Sequence, residues 1–225
     1  MTISLTHEEK IAVLDFGADE NRFSPDFLDE IDARLDEIVR AGAQGLVTTA
    51  SGKFYTNGLD LDWLAANGEQ AGWYVGRVQG MLARMLTLPV PTAAAVVGHA
   101  FGAGAMLALA HDFRVMRADR GFFCFPEADI RIPFTPGMAA LIQAKLIPQA
   151  AVASMTTGRR FGGDEAVSLG LVDAVAAEGA VTPAAVDLLR PLDGKDPGTL
   201  GAIKQTMFAP AVRALTTSDE EPQSN

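Results

Sequence analysis

A glycine-rich turn between an apolar strand and an apolar helix constrains this chain more than any other feature. Residues 91–97 are small or β-branched and typical of one strand, which stops at Gly98, where a turn can begin. From Gly102 onward the apolar residues continue without a breaker, which predicts a buried helix. Gly98, Gly102 and Gly104 lack Cβ atoms, so bare N–H groups of the first helical turn can face a bound group. The turn is therefore a candidate site for an oxyanion.

The same glycines also suit other roles. A phosphate-binding loop is excluded, because no Gly-Lys-Ser or Gly-Lys-Thr follows them. A dinucleotide-binding loop is disfavoured, because the third glycine and the later acidic residue are missing. A structural role, in which the glycines only let a helix pack close on a strand, stays open on this stretch alone.

A second strand-to-helix turn adds to the oxyanion hypothesis. Residues 53–61 read KFYTNGLDL, a strand end that turns through Asn57 and Gly58 into a helical pattern. This turn offers another backbone N–H group, that of Thr56. Two such donors on one oxygen would form an oxyanion hole, which contributes about 3 to 4 kcal/mol per donor in a transition state.

Four sequence blocks together resemble the crotonase family of enoyl-CoA hydratases and isomerases. They are KFYTNGLDL, GHAFGAGAMLALAHDFRV, FCFPEADIRIPFTPGM and TTGRRFGGDEAVSLGLVDAV, in family order and spacing over roughly residues 10–175. The alternation of strands and helices already predicts an α/β fold. The resemblance implies a crotonase-like ββα spiral with a shortened C-terminal helical region, commonly assembled as a homotrimer or a dimer of trimers.

The resemblance also implies a site. It places the oxyanion donors on the N–H groups of Thr56 and Ala103, facing the thioester carbonyl of an acyl-CoA substrate, with no separate cofactor. Hydratases of the family use two glutamates, but here the first place holds Met106 and only the second, Glu127, is kept. Methionine transfers no proton, whereas one carboxylate is enough for an isomerase. The remaining residues implied at the substrate are Arg22, Asn57, Gly58, Gly102 and Met106 itself.

The resulting hypothesis is an isomerase that shifts the double bond of a 3-enoyl-CoA to the 2-trans position, with Glu127 as the single acid and base. Apolar residues around Glu127 in the sequence are expected to raise the pKa of its carboxyl group. Asp129 is the reserve base, and His99 is expected to have a structural role. Two alternatives stay open: an enoyl-CoA hydratase or other acyl-CoA activity, and a non-catalytic acyl-CoA-binding or assembly subunit.

Composition narrows the class of protein further. The net charge of −10, from 18 basic and 28 acidic residues, argues against a nucleic-acid partner. No apolar run is long enough for a membrane span, and no leader or peroxisomal address is apparent, so a cytoplasmic location is expected. The single cysteine, Cys124, suits a reducing compartment. Three dispersed histidines predict no metal site.

The predicted organisation is a core at residues 1–175, a short helical region at 176–215 and a disordered tail at 216–225. In the core, Ser24 and Pro25 are expected to open a helix that Gly42 ends. In the C-terminal region, Pro197 and Pro210 are expected to interrupt short helices, and Lys204 is expected to be solvated.

Overall fold

The computed structural model describes residues 3–217. Its strands, in chain order, are β1 (Ser4–Glu8), β2 (Ile11–Asp15), β3 (Gly45–Thr49), β4 (Phe54–Thr56), β5 (Thr92–Val96), β6 (His99–Phe101), β7 (Phe113–Arg117), β8 (Phe123–Cys124) and β9 (Ala174–Ala176). Its α-helices are α1 (Pro25–Arg40), α2 (Leu61–Ala66), α3 (Ala71–Leu86), α4 (Ala103–Ala110), α5 (Glu127–Ile130), α6 (Pro136–Lys145), α7 (Pro148–Met155), α8 (Gly163–Ser168), α9 (Val181–Leu189), α10 (Pro197–Met207) and α11 (Ala209–Thr216).

The strands form two sheets that the chain visits in turn. The larger sheet has the order β1-β2-β3-β5-β7-β9, and the smaller one the order β4-β6-β8. Among the strand pairs within residues 3–217, only β1–β2 is antiparallel. Three successive units each contribute a strand to the large sheet, a strand to the small sheet and then helix: β3-β4-α2, β5-β6-α4 and β7-β8-α5. This repetition is a ββα spiral, so the predicted fold class is confirmed.

Helix α1 shows how local sequence sets the boundaries of an element. The Ser24 hydroxyl accepts a hydrogen bond from Phe27 N–H at 3.2 Å, and Pro25 occupies the first turn. The helix ends at Arg40, and Gly42 follows with φ +70°. The predicted cap and stop are therefore both confirmed.

Strand β6 lies where the sequence indicated only a glycine-rich turn. Its three residues, His99 to Phe101, pair in parallel with both β4 and β8. A strand this short has no detectable alternation of apolar and polar residues, so only its pairing partners reveal it. Because β6 is paired on both sides, the glycine turn begins at the end of an ordered strand of the small sheet.

The C-terminal region completes the hydrophobic core. Helix α9 covers one face of the large sheet, where Val181, Val186 and Leu189 are buried in one cluster with residues of β2, β3, β5 and β7. The predicted boundary at residue 175 therefore falls inside a packed unit. Helices α10 and α11 follow, and α11 packs against α3 and α6. The predicted tail begins at Thr216, the last residue of α11, and residues 218–225 lie outside the described chain.

Two prolines start helices that the sequence analysis expected them to interrupt. Pro197 and Pro210 each occupy the first turn of a helix, α10 and α11 respectively. Proline is well tolerated there because the first-turn N–H groups have no partner within the helix. The region does consist of short helices, and these two prolines mark where two of them begin.

Buried polar residues tie the end of α4 to its neighbours. Lys204 of α10 is buried, and its ammonium group donates to the Asp112 carboxylate at 2.6 Å and to the Val90 carbonyl at 2.8 Å. The prediction of a solvated Lys204 was therefore wrong. Nearby, the fully buried His111 contacts the Thr48 hydroxyl at 2.9 Å and the Leu107 carbonyl at 2.8 Å. Across residues 3–217, no helix is both long and apolar enough to cross a membrane.

The buried His111 predicts that stability falls in acid. Burial lowers the pKa of His111 to about 3, against roughly 6.5 in an unfolded chain. Below pH 6.5, His111 therefore binds a proton in the unfolded chain but stays neutral in the folded protein. His111 should lower the free energy of unfolding by up to about 1.4 kcal/mol per pH unit as the pH falls from about 6.5 towards 3. Urea titrations between pH 7.5 and 4.5 measure the slope.

The variant His111→Gln serves as the control for that slope. Glutamine keeps a donor and an acceptor but does not titrate, so the part of the slope due to His111 should disappear. Identical pH dependence in both proteins would contradict the assignment.

Candidate active site

A cavity of about 330 Å³ opens where β4 and β6 end and where α4 and α5 begin. Its polar side chains belong to Arg22, Asn57, Asp62 and Glu127. The rest of the lining is apolar or backbone and consists of Leu59, Leu61, Phe101, Gly102, Ala103, Pro126, Ile130 and Ile132. The two turns indicated by the sequence therefore meet at one cavity.

A larger depression of about 870 Å³ runs along α3 and α11. Its charged residues are Asp32, Glu69 and Arg77, and Arg77 is already paired with Asp29 and Asp32. Neither a buried unpaired carboxyl group nor a glycine turn contributes to its lining. The smaller cavity is therefore the better candidate for chemistry.

Glu127 is the first residue of α5, and its carboxyl group faces the N-terminal turn of α4. A Cβ atom built on Gly102 would lie 3.4 Å from Glu127 Oε1. The other oxygen, Oε2, is buried and has no hydrogen-bond partner among residues 3–217. Burial raises the pKa of Glu127 to about 7, an effect only partly offset by its own backbone N–H. This carboxyl group can accept a proton and return it near neutral pH.

The first turn of α4 supplies backbone donors to the same cavity. Gly102 has φ +53°, a conformation that favours glycine, and it provides no capping side chain. The N–H group of Ala103 has no hydrogen-bond partner among the described residues. Because the positive end of the helix dipole lies here, the turn favours a negatively charged oxygen.

The structure corrects the prediction of Thr56 as the second donor. Thr56 is the last residue of β4, is fully buried and does not line the cavity. Its hydroxyl donates to the Asn21 carbonyl at 2.6 Å and accepts from Gly58 N–H at 3.0 Å. Thr56 therefore shapes the following turn. The residue of that turn that lines the cavity and whose N–H group has no partner among residues 3–217 is Leu59.

The sequence pattern pointed to Thr56 at the end of the strand and carried no separate signal for Leu59. The turn continues past that point: Asn57 N–H donates to the Glu20 carbonyl at 2.9 Å, and Gly58 N–H donates to Thr56. Leu59 is the next residue, and its N–H group has no hydrogen-bond partner among residues 3–217. The order of the hydrogen bonds in the turn, visible only in three dimensions, selects it.

Gly58 joins the two turns without lining the cavity. A Cβ atom at Gly58 would lie 2.6 Å from the Phe101 carbonyl oxygen and 3.0 Å from the nitrogen atoms of both Ala103 and Gly104. The Gly58 carbonyl accepts from Phe23 N–H at 2.8 Å. The close approach of Gly58 to the backbone of Phe101, Ala103 and Gly104 holds the turn after β4 against the start of α4.

The remaining residues predicted at the substrate differ in their positions. Arg22 and Asn57 line the cavity, and Asn57 also donates to the Glu20 carboxylate at 3.1 Å. Met106 lies in α4, is fully buried in the core and does not line the cavity. Its predicted contact with substrate is therefore corrected: the second turn of α4 points into the core.

The histidine beside the glycine turn stands apart from the cavity lining. His99 packs among the rings of Phe54, Phe101 and Phe122, with centroid distances of 4.9 to 5.5 Å. Burial, followed by the charges of Lys53 and nearby arginines, lowers the pKa of His99. Among residues 3–217, no group of three potential ligands is arranged to hold a metal ion.

Comparisons with known proteins place the chain in a family. The family model described as enoyl-CoA hydratase/isomerase matches residues 6–224. The chain therefore belongs to the enoyl-CoA hydratase/isomerase family, and its structure is the crotonase-like spiral of that family.

Individual relatives make the comparison more specific. The chain is 38% identical over 190 residues to enoyl-CoA delta isomerase 2, peroxisomal, of Arabidopsis thaliana, covering 80% of this chain and 79% of that protein. It is 39% identical over 175 residues to enoyl-CoA delta isomerase 3 of the same plant, covering 73% and 74%. The crystal structure of human mitochondrial delta3-delta2-enoyl-CoA isomerase superposes with a TM-score of 0.87 over 95% of this chain and 85% of that chain. At 20% identity, this likeness concerns the fold.

The contact made by Gly58 predicts a stability defect in Gly58→Ala. The added methyl group would clash with the backbone of Phe101, which cannot move without disturbing the sheet. Gly58 also has φ +76°, a conformation that residues with a side chain rarely adopt. We expect the free energy of unfolding to fall by about 1 to 3 kcal/mol. Gly68→Ala is the matched control, because nothing lies within 4 Å of its added Cβ. Urea denaturation measures both variants, and equal stability would contradict the tight contact.

Proposed function

We propose that this protein is a Δ3,Δ2-enoyl-CoA isomerase. The observation that carries the proposal is the carboxyl group of Glu127, whose Oε2 atom is buried without a partner, in the same cavity as two backbone N–H groups that are unpaired among residues 3–217. The second carboxylate in the lining, that of Asp62, is exposed and paired with Arg22. The isomerase names of the plant relatives support the same activity.

The proposed reaction begins with removal of a proton. The thioester carbonyl oxygen of a 3-enoyl-CoA accepts hydrogen bonds from Ala103 N–H and Leu59 N–H, which acidifies the protons on C2. Glu127 removes one of them, and the electron pair moves onto the thioester oxygen to give a dienolate. The protonated Glu127 then delivers the proton to C4, and the double bond comes to rest between C2 and C3. No water enters, and the carboxylate is regenerated.

Hydration has less support because the other carboxylate of the described cavity lining, Asp62, is exposed and paired with Arg22. The position that the resemblance assigns to a second glutamate is Met106, which is buried in the core. Asp129, the reserve candidate, is exposed and lies against Gly158, outside the lining of the cavity. Activation and positioning of water would therefore depend on Glu127 alone.

Replacing the proposed base provides the direct test. Glu127→Gln keeps the size of the side chain but removes its basicity, so the conversion of a 3-enoyl-CoA to the 2-enoyl product should slow by about 10² to 10⁴-fold. The absorbance of the conjugated thioester reports the product. Asp129→Asn is the matched control and should retain close to wild-type turnover.

Each alternative has its own outcome in this assay. Full activity in Glu127→Gln would show that Glu127 is not the base. No turnover of any thioester by the wild type would favour a non-catalytic subunit. Loss of conjugated absorbance on addition of a 2-enoyl-CoA would favour a hydratase.

The raised pKa of Glu127 predicts the pH dependence of the reaction. The base must be ionised before it can take the C2 proton, and burial raises its pKa to about 7. We expect kcat/KM to be high above pH 7 and to fall about tenfold per pH unit well below it. A profile for 3-enoyl-CoA that is flat from pH 5.5 to 8.5 would contradict an essential Glu127 carboxylate.

The proposal extends to assembly and location. We propose a homotrimer or a dimer of trimers, supported by a partly exposed aromatic face on the small sheet that includes Phe54, Phe101 and Phe122. Such a face is suited to burial against a second copy. A cytoplasmic location is proposed because Cys124 is a free thiol, as expected in a reducing compartment.

A further inference from the structure

Three carboxylates surround a single arginine at the open side of the cavity. Arg22 Nε donates to Glu20 Oε2 at 2.6 Å, and Arg22 Nη1 bonds to the Asp62 carboxylate. Asp60 Oδ1 lies 3.8 Å from the same Nη1 atom. The pKa of Arg22 is raised, chiefly because its guanidinium donates a hydrogen bond to Asp62. One positive charge is therefore shared by three negative ones.

The three carboxylates differ in the other hydrogen bonds that they make. Glu20 also accepts a hydrogen bond from Asn57, and Asp60 caps α2 by accepting from Trp63 N–H at 3.1 Å. Asp62 makes no other polar side-chain contact among the described residues, and its side chain is 87% exposed. Asp62 is therefore the carboxylate that can leave Arg22 without breaking another interaction.

The position of this pair matters for a ligand that carries phosphate groups. Arg22 and Asp62 line the same cavity as Glu127, and among the described residues of that lining Arg22 is the one cation. The pair of Arg22 and Asp62 faces solvent, since the Asp62 side chain is 87% exposed, so a CoA that carries its thioester at Glu127 and leaves the cavity past this pair would bring its phosphate groups there. The chain has a net charge of −10, so it repels those phosphate groups overall. Arg22 is the cation of the cavity lining that can attract them.

We propose that Asp62 competes with the phosphate groups of CoA for Arg22, and so weakens binding of CoA esters relative to carriers without phosphate. This inference rests on the proposed function only in taking an acyl-CoA as the ligand. Asp62 then determines specificity: a phosphate must displace it from Arg22 Nη1 before a charge-assisted hydrogen bond can form. Exposed ion pairs are weak, so the penalty is modest and can be overcome by the ligand.

The test compares Asp62→Asn with the wild type by calorimetric titration of CoA and of pantetheine, which lacks the phosphates. Asp62→Asn should bind CoA about two- to fivefold more tightly at low ionic strength. The gain should shrink in 0.5 M salt, because exposed charges are screened. Pantetheine should bind both proteins equally. Asp187→Asn, an exposed carboxylate on α9 that pairs with Arg190, makes the same change in net charge and should have no effect.

A double-mutant cycle separates competition for Arg22 from a general charge effect. In the Arg22→Gln background, Asp62→Asn should lose most of its effect on CoA binding. An undiminished effect there, an equal gain for pantetheine, or unchanged or weaker CoA binding by Asp62→Asn would each overturn the inference. Tighter CoA binding without any isomerase turnover would overturn the proposed function alone, since binding is measured without the reaction.

Discussion

The close approach of two backbone turns is the constraint on which the rest of the site depends. The turn after β4 lies against the first turn of α4 because Gly58 and Gly104 have no side chains. A Cβ atom on Gly104 would lie 2.5 Å from the Thr56 carbonyl oxygen, and one on Gly58 would lie 2.6 Å from the Phe101 carbonyl oxygen. At this separation both turns present unpaired N–H groups to one cavity. The ββα spiral supplies the approach, since β4 and β6 are neighbours in the small sheet.

Two carboxylates of the cavity have opposite environments, and this difference separates their roles. Glu127 is half-buried among apolar residues without a cationic partner, so its pKa rises towards neutrality. Asp62 is exposed and paired with Arg22. Burial therefore prepares one carboxyl group for proton transfer, while solvent and an ion pair leave the other available only for electrostatic effects.

Elements with a strong local signal were predictable, whereas those that depend on distant partners were not. The start and end of α1 follow from Ser24, Pro25 and Gly42. Strand β6 and helix α5 have three and four residues, too few for a periodic pattern. The segment after Pro126, in which polar and apolar residues alternate, forms that short helix. Pro210 was misinterpreted because proline is disfavoured inside a helix but suited to its first turn.

Sequence alone determined the alternation of strands and helices, the glycine turn and the presence of a single glutamate in the Phe-Pro-Glu turn, because each is carried by short contiguous patterns. Tertiary structure decided which groups reach the cavity. Thr56 and Met106 are buried away from the cavity lining, whereas Leu59 is part of it. Arg22 lies among three carboxylates. The physical reason is that a free N–H group, a buried carboxyl group and a shared cation are each defined by neighbours distant in the chain.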